Sequence, residues 1–147
     1  MKKLEYNNEW LKSILSNVHT IAVVGASAKA DRPSNHVMAY LQDKGYRVIP
    51  INPGLAGQKI LGELVYASLT DVAESYQMVD IFRNSDAAGA ICDEAIDLKD
   101  RKNISVIWMQ QGVRNDEAAH RAERAGLKVV MDRCPKIEHK RLIEKDV

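Results

Sequence analysis

Five short apolar runs recur along the chain: TIAVVG (20–25), YRVIPIN (46–52), MVDIF (78–82), SVIWMQ (105–110) and LKVVMD (127–132). Segments with helical spacing separate most of them. Runs this short and continuous suit strands buried on both faces. Strands alternating with helices need crossover connections, and crossovers build a parallel sheet. The expectation is an α/β fold: one doubly wound domain with a five-stranded parallel sheet.

The intervening segments carry helix signals. Leu11, Ile14, Leu15 and Val18 recur at helical spacing, and Asn7 or Asn8 can cap the helix they define. A second helical pattern starts at Ser34, with Val37, Tyr40 and Leu41 on one side, and Gly45 stands where a left-handed C-cap belongs. Pro50 cannot donate to a ladder, so it is expected at the C-terminal end of its strand. ILGELVY (60–66) reads as short and irregular, and SLTDVAESY (68–76) as a capped helix of one or two turns. Asn84 or Ser85 caps a helix with the stripe Ala88, Ile91, Cys92 and Ala95. Asn115 caps another, with Ala118, Ala122 and Ala125, ended by Gly126. Residues 134–147 form a polar tail with no clear pattern. With no repeat or linker, residues 1–147 read as one domain, opened by a helix within residues 1–19.

Composition removes several function classes. There are 21 basic and 20 acidic residues, a net charge of +1, so no electrostatic case exists for nucleic acid or an anionic membrane. No segment approaches the roughly 20 apolar residues of a membrane span. MKKLEYNNEWLKSIL lacks the apolar core of a signal peptide. Cys92 and Cys134 form no CxxC pair and no zinc spacing. A soluble, cytoplasmic protein with reduced thiols is expected.

Open parallel sheets bind ligands beyond the carboxyl ends of their strands, where the strand order reverses. That rule selects Gly25, Ala26, Ser27, Arg32, Pro33 and Ser34 after the first strand, and Asn52 and Pro53 after the second. It selects Phe82 and Arg83 after the third, Gln110, Gln111 and Gly112 after the fourth, and Asp132 and Arg133 after the fifth. The set is rich in arginine and poor in carboxylates, which suits an anion. Gly25 permits close backbone approach, and a helix starting near Ser34 would offer unpaired N–H groups. Arg32 and Arg83 can add charge-assisted bonds to phosphate oxygens. Taken singly, Gly25 is a turn residue, Ser34 a helix cap and Trp108 a core residue whose indole N–H needs a partner.

NAD fits poorly. Its usual fingerprint has three glycines and a carboxylate at the end of the second strand, for the ribose hydroxyls. Here the turn has one glycine and the second strand ends IPINPG, with no acid. An NAD(P)-binding oxidoreductase remains the alternative, without a recognisable redox substrate site.

Six motifs in order, IAVVGAS (21–27), DRPS (31–34), YLQDKGYRVIPINP (40–53), VDIFR (79–83), WMQQGV (108–113) and VVMDRCPKIE (129–138), resemble a known family. It is the small bacterial CoA-binding proteins of the succinyl-CoA-synthetase-like Rossmann group. The resemblance implies a Rossmann-like fold and coenzyme A (CoA) as ligand. It implies that Gly25, Ala26 and Ser27 meet the diphosphate end, with Arg32 and Ser34 beside it. Pro50, Asn52 and Pro53 would flank the adenine nucleotide, and Phe82, Arg83, Trp108, Gln110 and Gly112 would line the rest of the cleft. Two positions depart from the family. Gly54 stands where many relatives carry a lysine, with Lys29 or Lys59 as candidates to replace its charge, and Gln111 stands where an apolar residue is common.

No catalytic constellation is legible, so no catalytic residue and no metal ligand is assigned. His19, His36, His120 and His139 are scattered, and there is no Walker loop, metal motif or Ser-His-Asp order. The chain reads as a non-catalytic CoA-binding module acting as carrier, sensor or partner subunit, with a partner protein or a second copy both left open. A weaker alternative is a thiol-active protein using Cys134, whose neighbours Arg133 and Lys136 are cationic.

Overall fold

The computed structural model describes residues 4–144. Helix α1 (Asn8–Asn17) is capped by Asn7, whose side chain accepts from the Trp10 N–H at 3.1 Å. Strand β1 (Thr20–Val24) leads to α2 (Pro33–Asp43) and β2 (Arg47–Ile51). Gly45, at φ +95°, ends α2 in a Schellman motif: its N–H bonds the Gln42 carbonyl and the Tyr46 N–H bonds that of Leu41. A 3₁₀ turn (Pro53–Leu55) then precedes β3 (Lys59–Ile60) and β4 (Glu63–Leu64), a small antiparallel hairpin. Next come β5 (Met78–Ile81), α3 (Ser85–Lys102), β6 (Val106–Met109), α4 (Asp116–Arg124), β7 (Lys128–Val130) and α5 (Pro135–Leu142).

The main sheet has five parallel strands in the order β2-β1-β5-β6-β7. The fold is the expected doubly wound, Rossmann-like α/β architecture. Side chains alternate between two apolar layers. Ala22, Val24, Val79, Ile81 and Ile107 pack against α3 and α4, whereas Ile21, Val23, Met78, Val106 and Trp108 pack against α1, α2 and α5. Burying each large aliphatic side chain contributes about 1.5–3 kcal/mol, so these layers dominate the fold's stability.

Both sheet edges are covered. Pro50 lies near the C-terminal end of edge strand β2, as expected, and is tolerated there because its missing N–H is on the outer side, where its carbonyl accepts from Tyr66 at 3.1 Å. On the other edge, the Tyr6 hydroxyl accepts from the Met131 N–H at 2.9 Å.

Three expectations need correction. Residues 68–76 form turns, not a helix, and the Leu69 carbonyl accepts the buried Tyr76 hydroxyl at 2.9 Å. The tail is not patternless: residues 135–142 form α5, which packs on α1 and α2. Ala125 caps the end of α4, and the buried alanines of that helix are Ala118, Ala119 and Ala122.

Candidate ligand-binding site

The chain runs from β1 outward to β2, then returns across β1 to β5. The strand order therefore reverses between β1 and β5, and the loops there part to form a depression. Gly25, Ala26, Ser27, Lys29, Arg32, Pro33, Ser34, Asn52 and Phe82 line an open groove of about 490 Å³. A second depression of about 400 Å³ adjoins it, sharing Pro33 and Phe82 and adding Arg83, Gln110, Gln111, Gly112 and Val113.

Gly25 is there for two physical reasons. Its φ is +91°, and a Cβ at that position would stand 2.6 Å from the Phe82 carbonyl oxygen. Only glycine lets the β1 and β5 loops approach this closely. The turn is also bonded inward. The N–H groups of Gly25 and Ala26 both donate to the Ile51 carbonyl, at 3.0 and 3.2 Å. These two N–H groups are therefore committed to β2, although both residues line the groove.

Donors further along the loop are uncommitted. Among the described residues, no hydrogen bond is made by the N–H of Ser27 or Ser34. Arg32, not Ser34, is the N-cap of α2, and its side chain makes no capping bond. Pro33 has no N–H to satisfy at the first helical position, and Ser34 is buried in the first turn. The positive end of α2 therefore opens on the groove.

The side chains add charge. Arg47, Arg114, Arg121, Arg133 and Arg141 each pair with a carboxylate. Among the described residues, Lys29, Arg32 and Arg83 form no ion pair, and all three are exposed at the rim. Lys29 thus stands at the groove, whereas Lys59 lies on the β3–β4 hairpin and lines neither depression.

Asn52 shapes the loop with both ends of its amide. Its Nδ2 donates to the Ala26 carbonyl at 2.8 Å, and its Oδ1 accepts from Gly54 N–H at 2.9 Å. Asn35, absent from the sequence-based set, does similar work: its buried Nδ2 donates to the Ser27 carbonyl at 3.0 Å. Its signal was a polar residue three positions before buried Met38, on the inner side of the helix.

Three expected site residues stand elsewhere. Trp108 is wholly buried in the core, and its indole N–H donates to the Arg133 carbonyl at 2.9 Å, so it lines no cleft. Pro50 is buried within β2. Pro53 is exposed in the 3₁₀ turn, outside both depressions. Cys134 is buried at the N-cap of α5, and burial pushes the Cys92 thiol up to about 12. Neither cysteine lines either depression.

Fold and groove define a Rossmann-like domain with an anion-suited depression at its switch point. The chain belongs to the CoA binding domain family, whose model matches residues 19–140. It is 35% identical to YneT of Bacillus subtilis over 129 residues, covering 88% of this chain and 91% of that protein. A Thermus thermophilus structure is 38% identical, covers 94% of this chain and 100% of its own, and superposes with a TM-score of 0.87. A Pyrococcus horikoshii structure is 35% identical, covers 97% and 99%, and gives the same TM-score. A dinucleotide-forming acetyl-coenzyme A synthetase of Ca. Korarchaeum cryptofilum shares the fold, at 21% identity and a TM-score of 0.62, with 77% of this chain matching 26% of that one.

Proposed function

We propose that the protein binds coenzyme A and performs no chemistry on it, acting as a single cytoplasmic domain that serves as carrier, sensor or partner subunit. The observation that carries this reading is the placement of unpaired Lys29 and Arg32 around the uncommitted N–H groups of Ser27 in the loop and Ser34 in the first turn of α2. A diphosphate is the group such a set complements. Membership of the CoA binding domain family supplies the rest of the ligand. Lys29 supports the reading where Gly54 had weakened it, since it brings a cation to the groove from the β1 side.

Against a dinucleotide, the end of β2 offers no carboxylate for the ribose hydroxyls. The non-catalytic part is supported by where the reactive side chains lie. His19, His36 and His120 are exposed, His139 is bonded to Tyr40, and none lines either depression of the site. Calorimetric titration tests the reading: CoA is expected to bind and NAD(H) to bind far more weakly. Tighter binding of NAD(H) would overturn it.

A further inference from the structure

At the end of the sheet opposite the groove, the last turns of α1, α2 and α5 meet around a pocket of about 350 Å³. Ser16 reaches it from α1, Lys44 and Tyr46 follow α2, and His139 stands in the last turn of α5. His19, between α1 and β1, lines it as well. A helix C-terminus carries the negative end of the helix dipole, so three of them together favour a cation.

His139 gives the pocket a prepared acceptor. Only 7% of the residue is exposed. Its Nδ1–H donates to the Tyr40 hydroxyl at 2.8 Å, and that hydroxyl donates to the Glu144 carboxylate at 2.8 Å. This relay fixes the tautomer and leaves a lone pair on Nε2. Among the described residues Nε2 makes no hydrogen bond, and it is not sealed from solvent. Metal-binding imidazoles are held in the same way, with one ring N–H bonded away from the ion and the other nitrogen left for it. His19 is anchored by its backbone: its N–H bonds Gln77 Oε1 at 3.1 Å, and its carbonyl accepts from the Arg47 N–H at 2.9 Å. Its exposed imidazole makes no hydrogen bond among the described residues, so it is free to turn. Lys44 brings an opposing charge, which Glu144 at 3.3 Å and Asp43 at 3.8 Å balance.

We propose that His139 Nε2 and His19 hold a divalent transition-metal ion at this end of the sheet. Imidazole nitrogen suits zinc, copper or nickel better than magnesium or calcium. Among the described residues no third histidine, cysteine or carboxylate joins the pair, so water completes the shell. The ion clips α5 to the link between α1 and β1. The site is independent of the CoA reading, since neither histidine lines the groove or the depression beside it.

Calorimetry with Zn²⁺ on tag-free protein tests the proposal. Wild type is expected to bind a single ion and to melt at a higher temperature when it does. His19→Ala alters an exposed side chain that holds nothing else, and it is expected to weaken binding by at least the roughly tenfold that loss of an outer-shell partner costs. The double variant His36→Ala, His120→Ala keeps only His19 and His139 and is expected to bind as wild type does. Pulsed EPR of Cu²⁺ on that double variant should count two imidazoles. Four results would each overturn the proposal: no binding at millimolar Zn²⁺, an unchanged affinity in His19→Ala, a loss in the double variant, or a single imidazole on Cu²⁺.

Discussion

At the scale of single residues, the loop after β1 divides its atoms between holding shape and facing outward. Gly25 belongs to the first group. Gly25→Ala would force a Cβ against the Phe82 carbonyl at a φ of +91°, so it is expected to lower stability by more than about 1 kcal/mol, measured by denaturant unfolding. Arg32 belongs to the second group. It is exposed and makes no capping bond, so Arg32→Ala is expected to leave the melting temperature unchanged while weakening CoA binding by about 1–3 kcal/mol. Lys29→Ala is expected to act in the same direction, and both losses should shrink as salt rises. An unchanged affinity in either variant would remove that side chain from the site.

Among the elements, β5 carries a group whose titration opposes folding. Burial holds the Asp80 carboxyl well above the ordinary carboxylate range. A raised folded-state value means that the proton is bound more tightly in the folded chain than in the unfolded one. Its contribution is full below the unfolded value, about pH 4, and is lost as pH rises from there. Wild type is therefore expected to lose about 1.4 kcal/mol per pH unit over that window from this group. Asp80→Asn is expected to remove that slope and to gain on wild type as pH rises, as read from urea unfolding at several pH values.

The helices and strands that apolar periodicity outlines were legible in the chain, from the Leu11–Leu15 face to the buried strand β6. Helix α5 was not, and its stripe explains why. Pro135, Glu138, His139 and Leu142 are spaced for one buried helix face, but two of the four are polar. They are tolerated because partners arrive from far away in sequence or from the next turn. Glu138 takes Arg141 at 2.6 Å and Arg133 at 3.7 Å, and His139 Nδ1 lies 2.8 Å from the Tyr40 hydroxyl. Since that hydroxyl donates to Glu144, the His139 Nδ1–H is the donor to Tyr40. Residues 68–76 misled for the converse reason: Leu69 and Val72 mimic a helical stripe, while the Leu69 carbonyl is bonded by the Tyr76 side chain and, in a tight turn, by the Val72 N–H, not by the N–H four residues on as in a helix.

Across the whole molecule, parallel topology alone selects one edge for a ligand, and that much followed from strand order. The rule cannot tell which edge atoms are already bonded within the chain. Asn52, Gly25 and Ala26 sit at the edge yet satisfy one another and β2, whereas Lys29 and the start of α2 remain outward. Trp108 carried an ambiguous signal, since a tryptophan beside an edge can be lining or core. Its register opposite Asp80, below the edge, makes it core.

The pair of hydrogen bonds from the Gly25 and Ala26 N–H groups to the Ile51 carbonyl has a kinetic consequence. A loop stitched to its neighbouring strand needs no ordering before a ligand arrives. Association should then be set by encounter and electrostatic steering, not by a slow conformational step. Amide exchange gives the matching signature: the Gly25 and Ala26 protons are expected to be protected at all times, and the Ser27 and Ser34 protons to become protected when CoA is added. Rapid-mixing traces should show one phase whose rate rises linearly with CoA concentration, and a plateau would mean that the stitch opens on the way to binding.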